Sequence, residues 1–276
     1  MFEWLEEGIS EFIINTFSSM FTNFSSVYNT AIMSPSAFNK EIWDAVVSFN
    51  KNAVLPIAWS ILSLFLLLEL ASLFKRADVK GMECIYWICQ ILLKIMFSKI
   101  IMENMTVIID AIFEISAEIV SNSSFTISEL GNISASEMGD ALSKCSTLTL
   151  MGYFITSMIL SFGAGIARIL AEVIVKLRFI EIYVFTGVAA IPFATLASQE
   201  YGVIGKNFIK RMCALALHVI FIVLVLYMYG LLMKGSMPTI DASNPMNALY
   251  EGFGYTILAV IALFQTGSWS KSLIGV

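Results

Sequence analysis

The chain has 276 residues, 58% of them hydrophobic and only 13% charged, with a mean hydropathy of +0.82; soluble domains carry about a quarter charged residues, so a soluble globular enzyme is excluded. At roughly 20 residues per helical crossing, the length supplies about five or six crossings and modest loops, with no room for a separate catalytic domain. The net charge of −5 leaves no whole-chain basic field to attract nucleic acid, so any such contact would be local.

Catalytic chemistry is scarce as well. The four cysteines, Cys84, Cys89, Cys145 and Cys213, show no two-residue chelating spacing, and no metal site is expected. Three of them lie in apolar stretches and read as packing residues. The single histidine, His218, lies in an apolar span and reads as a packed or helix-bridging residue. No HExxH, GxSxG or P-loop pattern occurs, so the chain is not expected to be an enzyme, and an energy-coupled process would need a separate ATPase.

Residues 1–30 repeat apolar side chains at three-and-four spacing between glutamates, asparagines and serines, which predicts an amphipathic helix too polar to span. No Lys or Arg precedes Lys40, the opposite of a secretory signal's basic start, and no cleaved signal is expected. An acidic helix is a poor ligand for anionic lipid, leaving burial against partner subunits and an interfacial position both open. Ser34, Pro35 and Ser36 break the pattern, and a second amphipathic stretch, 41–49, leads to Pro56 in the first turn of the next helix.

The first clear span is residues 53–74, followed at once by Lys75, Arg76 and Lys80, which predicts a cytoplasmic loop and an N-terminus outside. The chain must then return outward through 82–120. Stepping about 100° per residue gathers Lys99, Glu103, Thr106, Asp110 and Glu114 into one stripe, with Lys99 and Glu103 paired. Two readings stand: a charged face lining a cavity or pore, or an interfacial helix that enters solvent after about residue 105. The stretch 121–147, rich in Ser, Asn and Gly, separates two membrane halves as a polar outer loop; from Glu103 to Asp140 there are seven acids and no Lys or Arg.

Residues 148–198 are apolar almost throughout but hold Arg168, Glu172, Lys176, Arg178 and Glu181. Spacing predicts intrahelical pairs Glu172–Lys176 and Arg178–Glu181. Gly163, Ala167 and Ala171 offer a small face for close helix approach, and Gly187 and Pro192 mark a broken or re-entrant helix. Further spans cover 212–233, preceded by Lys206, Lys210 and Arg211, and about 252–269. Keeping that basic trio inside requires one net crossing between 148 and 198. The expectation is an all-α polytopic membrane protein with five net crossings, N-terminus outside and C-terminus cytoplasmic, with six as the alternative. Its parts are 1–52 (extracytoplasmic amphipathic region), 53–120 (transmembrane hairpin), 121–147 (polar loop) and 148–276 (transmembrane core).

The motifs RFIEIYV, AAIPFATLA, IGKNFIKR and the final GSWSKSLIGV resemble the polytopic membrane subunit of type IV secretion and conjugation machines, the TrbL and sixth-VirB-protein family, in its shorter Gram-positive mobile-element form. The resemblance covers roughly 148–276; the first half is similar in layout only. It implies an oligomeric channel or scaffold subunit in the bacterial cytoplasmic (inner) membrane, serving a translocation path or pilus assembly. The partners it implies are further copies of the chain, an assembly ATPase, a coupling ATPase and a bitopic scaffold protein, with a DNA–protein complex as cargo. On that reading Lys99, Glu103, Asp110 and Glu114 line the path, the charges at 168–181 pair near its cytoplasmic entrance, and Lys206, Lys210 and Arg211 form a contact patch for headgroups or an ATPase, or mark topology alone. No cofactor is expected; a bound phospholipid fits so apolar an assembly. The alternative from another class is a secondary transporter or small-solute channel, for which a broken helix is also apt.

Overall fold

A computed structural model describes residues 3–75, 82–122, 142–143, 145–236 and 246–276. Arg76 and Lys80 of the first basic cluster, and most of the stretch 121–147, lie outside the described residues. Among the described residues there is no strand. In chain order the helices are α1 (Glu3–Ala31), α2 (Pro35–Phe38), α3 (Lys40–Phe49), a π-helical turn (Asn50–Val54), α4 (Leu55–Lys75), α5 (Met82–Glu103) and α6 (Met105–Asn122). There follow α7 (Thr147–Val188), α8 (Ala190–Ala194), a 3₁₀ turn (Thr195–Ala197), α9 (Gly202–Ser236) and α10 (Met246–Ile274). Five helical stretches are long and apolar enough to cross a membrane: Lys40–Lys75, Ile85–Glu103, Thr147–Val188, Gly202–Met233 and Leu249–Ile274. The protein is thus all-α and polytopic, and the stretch between α7 and α9 is a broken connector rather than a sixth span.

Local chemistry sets the joints. Ser34 Oγ accepts from the Ala37 amide at 3.2 Å with Pro35 opening α2, and Asn39 Oδ1 accepts from the Ile42 amide at 3.0 Å to start α3. Those caps turn the chain where the serines and proline interrupt the apolar pattern. Proline at 56 has no N–H, and its ring would strike the carbonyl four residues back in a regular helix. The backbone widens instead, with the Leu55 amide bonding to the Asn50 carbonyl five residues back. As a result α3 and α4 form one 36-residue stretch from Lys40 to Lys75, where the sequence predicts a separate amphipathic segment and a span starting at 53.

The chain forms two compact units, each assembled from separated segments. The first comprises Met1–Ile32, Ile119–Leu177 and His218–Trp269. Here α1 lies along its own chain: Phe12 meets Phe154 edge-on at 5.1 Å, Phe24 meets Tyr229 at 4.8 Å, and Thr147 Oγ1 donates to Glu6. Its Ile9, Ile13, Phe24 and Val27 are buried within the protein itself. Small residues admit α10: a methyl group at Gly163 would come within 2.5 Å of the Phe253 ring, and Ala167 and Ala171 are buried beside it on α7. Buried hydroxyls pair across α9 and α10, Tyr229 with Thr256 at 3.1 Å and His218 Nε2 with Thr266 at 2.8 Å. His218 is therefore a helix-bridging residue.

The second unit comprises Met33–Glu118, Arg178–Leu217 and Ser270–Val276. Phe38 stacks on Phe179 at 4.1 Å, Trp43 packs on Tyr183, and the Tyr183 hydroxyl donates to the Pro35 carbonyl at 2.7 Å. The connector's Ala189, Ala190, Phe193, Ala194 and Ala197 are almost wholly buried, with α4 and α5 packed around them.

Candidate functional site

The sequence-predicted residues fall into separate clusters. On α7, the Arg168 Nε donates to Glu172 Oε1 at 3.2 Å and the Lys176 Nζ donates to Oε2 at 3.1 Å, so each carboxylate oxygen serves one cation. This ladder pairs its charges within one helix, yet its side chains remain 45%, 29% and 52% exposed on a helix of membrane length.

The predicted Arg178–Glu181 pair does not occur among the ion pairs of the described residues. Arg178 is 3% exposed and donates from Nε to the Leu215 carbonyl at 3.1 Å, with its guanidinium over the Phe179 and Phe113 rings at 5.3 and 5.8 Å. Glu181 turns instead to α9 and α10, where Oε1 faces the Arg211 Nη2 at 3.4 Å and the Lys271 Nζ at 3.6 Å. The reason is directional: residues 178 and 181 sit one turn apart, and each finds a better-placed partner on a facing helix than on its own. The basic trio is divided in the same way. Lys206 and Lys210 are exposed, but Arg211 is drawn onto Glu181 and lies over the Phe185 ring at 4.4 Å.

At the break, α7 stops after Val188, ahead of Pro192, because the proline cannot donate to the Val188 carbonyl. The Thr186 and Gly187 carbonyls of that last turn are held by a residue from another helix. Asn50, 1% exposed in the π-helical turn, donates from Nδ2 to the Thr186 carbonyl at 3.1 Å and the Gly187 carbonyl at 2.9 Å. A methyl group at Gly187 would meet Val46 and Phe49 at ordinary contact distance, so that glycine is not there for space. Gly205 is: a methyl group there would come within 2.6 Å of the Pro192 carbonyl and the Leu196 side chain. The Gly205 amide donates to Thr195 Oγ1 at 3.0 Å, and the Gln199 amide to Glu69 Oε1 at 2.7 Å, completing the turn into α9.

The predicted stripe is not one helix. Asn104 divides α5 from α6, with its side chain bonded to the Ile100 carbonyl at 2.9 Å. Lys99 lies over the Trp59 ring at 4.9 Å, and no Lys99–Glu103 ion pair occurs among the described residues. Thr106 and Asp110 are half-buried and Glu103 and Glu114 exposed, while Met105, Ile109, Phe113 and Ser116 form the covered face of α6. Burial, then the nearby Glu114 charge, raises the Asp110 carboxyl above its ordinary range.

Sequence reasoning missed Asn50, Glu69, Gly205 and Lys271. Glu69, within LLLELASLF, carried a usable signal, since an acid inside an apolar run has to find a donor. Asn50 and Gly205 carried none without the tertiary arrangement.

Among the described residues no His, Cys, Asp and Glu side chains converge as metal ligands. Membrane-length helices, charges satisfied within and between them, and a helix broken and capped from another segment define a multi-pass helical membrane protein. The family described as "TrbL/VirB6 plasmid conjugal transfer like protein" matches residues 20–190, and the chain belongs to it. This family supplies structural membrane subunits of type IV secretion and conjugation machinery. The matched stretch corrects the extent read from sequence: it takes in RFIEIYV but leaves out IGKNFIKR and GSWSKSLIGV, and it reaches back into the half credited with layout alone. No curated protein and no solved structure matches the chain.

Proposed function

We propose that the protein is an oligomeric channel or scaffold subunit of a type IV secretion machine in the bacterial cytoplasmic membrane, with its N-terminus outside and its C-terminus cytoplasmic. The observation that carries the reading is the Arg168–Glu172–Lys176 ladder. Half-exposed charges on a membrane-length helix are costly against lipid, and a second copy of the chain or a water-filled passage removes that cost. The charged residues on either side of Asn104, Lys99, Glu103, Asp110 and Glu114, are candidates for the passage wall on the same ground. Lys206 and Lys210 remain exposed for a partner, and the acidic face of an assembly or coupling ATPase has the complementary charge. A bitopic scaffold protein and a DNA–protein cargo complete the set of partners this reading calls for.

The test is gentle-detergent purification of the tagged chain from its host, with native mass measurement and identification of what co-purifies. A large homo-oligomer carrying a secretion ATPase is expected. A monomer without such partners, after crosslinking, would move the assignment to a self-contained secondary transporter, for which the connector at Pro192 supplies the broken helix.

A further inference from the structure

Within the second unit, a cleft of about 370 Å³ runs between the end of α7, the connector and the first turns of α9. Its wall is apolar, formed by Phe185, Val188, Ile191, Ile204 and Phe208. Pro192 and Val276 complete the lining, and Asn207 and Arg211 are the polar side chains on it, both from α9. Arg211 is tied through Glu181 to Lys271, so two cations share one carboxylate oxygen and these three side chains together carry one excess positive charge. The Arg211 and Lys271 side chains stay 44% and 40% exposed, and the buried Arg211 Nε–H has no acceptor among the described residues, so Glu181 satisfies this guanidinium incompletely.

We propose that this cleft is a binding site for an anionic membrane phospholipid, with the headgroup phosphate on Arg211 and Lys271 and an acyl chain along the apolar wall. Three features select that occupant. Guanidinium and ammonium donors match phosphate oxygens, and Arg adds a planar fork. In a chain with five membrane-length helices, an apolar cleft is in contact with a reservoir of acyl chains, and basic pockets between membrane helices take anionic headgroups. The residual positive charge discriminates against zwitterionic headgroups, which a purely greasy groove cannot do. The site lies beside the α7 break, with Pro192 of the connector in its lining. This inference needs only that the chain is a membrane protein and is independent of what the assembled machine conducts.

The test uses the full chain reconstituted in nanodiscs of phosphatidylcholine alone or with phosphatidylglycerol, followed by native mass measurement of retained lipid. The wild type is expected to keep phosphatidylglycerol in preference to phosphatidylcholine. The double variant Arg211→Gln/Lys271→Gln should lose that preference by about fivefold per cation removed. Ile204→Trp, which fills the trough and leaves the charges alone, should lower retention of the same lipid; it decides the matter if the double variant fails to fold. Equal retention of both lipids by the wild type, or unchanged phosphatidylglycerol retention in Ile204→Trp, overturns the proposal. Displacement by inorganic phosphate with no retained lipid overturns it in favour of a free-anion site, and displacement by an acidic peptide alone in favour of a protein partner.

Discussion

Glu181 shows how a single carboxylate organises its surroundings. It lies half-buried between Arg211 and Lys271, so reversing its sign places three cations together, while reversing Arg211 alone places two acids beside one lysine. Glu181→Arg and Arg211→Glu should each lower the thermal stability of the solubilised protein, and the combined swap should recover part of the loss. With side chains partly in solvent, the coupling belongs at the low end of about 0.5–3 kcal/mol. Strictly additive losses would show that the two residues act separately. Asp110 makes a different kind of prediction. Burial and Glu114 raise its native pKa, so ionisation is disfavoured in the fold. Its contribution to stability is therefore complete below the unfolded value and is lost as pH rises through the raised native one. Asp110→Asn should accordingly match the wild type in acid and exceed it near neutrality in melting experiments across that range. A wild-type advantage that grows with pH would contradict the assignment.

At the scale of the element, apolar runs gave away the spans, because about 20 uncharged residues have few alternatives to a membrane helix. The joints were hidden for a physical reason. Pro56 and Pro192 are visible as breakers, but whether a helix bends, widens or stops depends on who takes the freed carbonyls. At Pro56 the backbone itself widens; ahead of Pro192 the helix stops, and its last turn is held at Thr186 and Gly187 by Asn50, which looks like an ordinary polar residue at a span's margin. The Arg178–Glu181 pair failed on the same count, since three-residue spacing permits it but cannot weigh it against Leu215 and Arg211 on other helices. The acidic side of α6 was readable from its period, and it can be mapped. Cysteines at 106, 110 and 114 in the assembled complex should react with a membrane-impermeant thiol reagent, and cysteines at 105, 109 and 113 should not. Uniform protection of all six would remove the passage-lining role.

For the whole molecule, the proposed five crossings rather than six carry one consequence that topology experiments can read: they would put the two ends on opposite sides of the membrane. Tags before α1 and after α10 should be labelled from opposite faces by an impermeant probe in intact cells and inverted vesicles. Labelling of both from one face would require an even number of crossings. Composition sufficed for the all-α polytopic class, and motif resemblance for the family. The resemblance was strongest where residues around Arg178 and Pro192 are most distinctive, whereas the family match starts far earlier, at residue 20. The N-terminal segments showed likeness in layout alone because amphipathic helices packed on their own chain are constrained in pattern rather than in identity.

Asn50 also bears on how the chain is made. Its two acceptors lie 136 and 137 residues further along, so the amide emerges from the ribosome long before the carbonyls it will hold. Throughout the synthesis of α4, α5, α6 and most of α7, that buried donor must wait, and the early hairpin cannot reach its final packing. Biogenesis of this protein is therefore a process of deferred closure, completed only when the broken helix arrives.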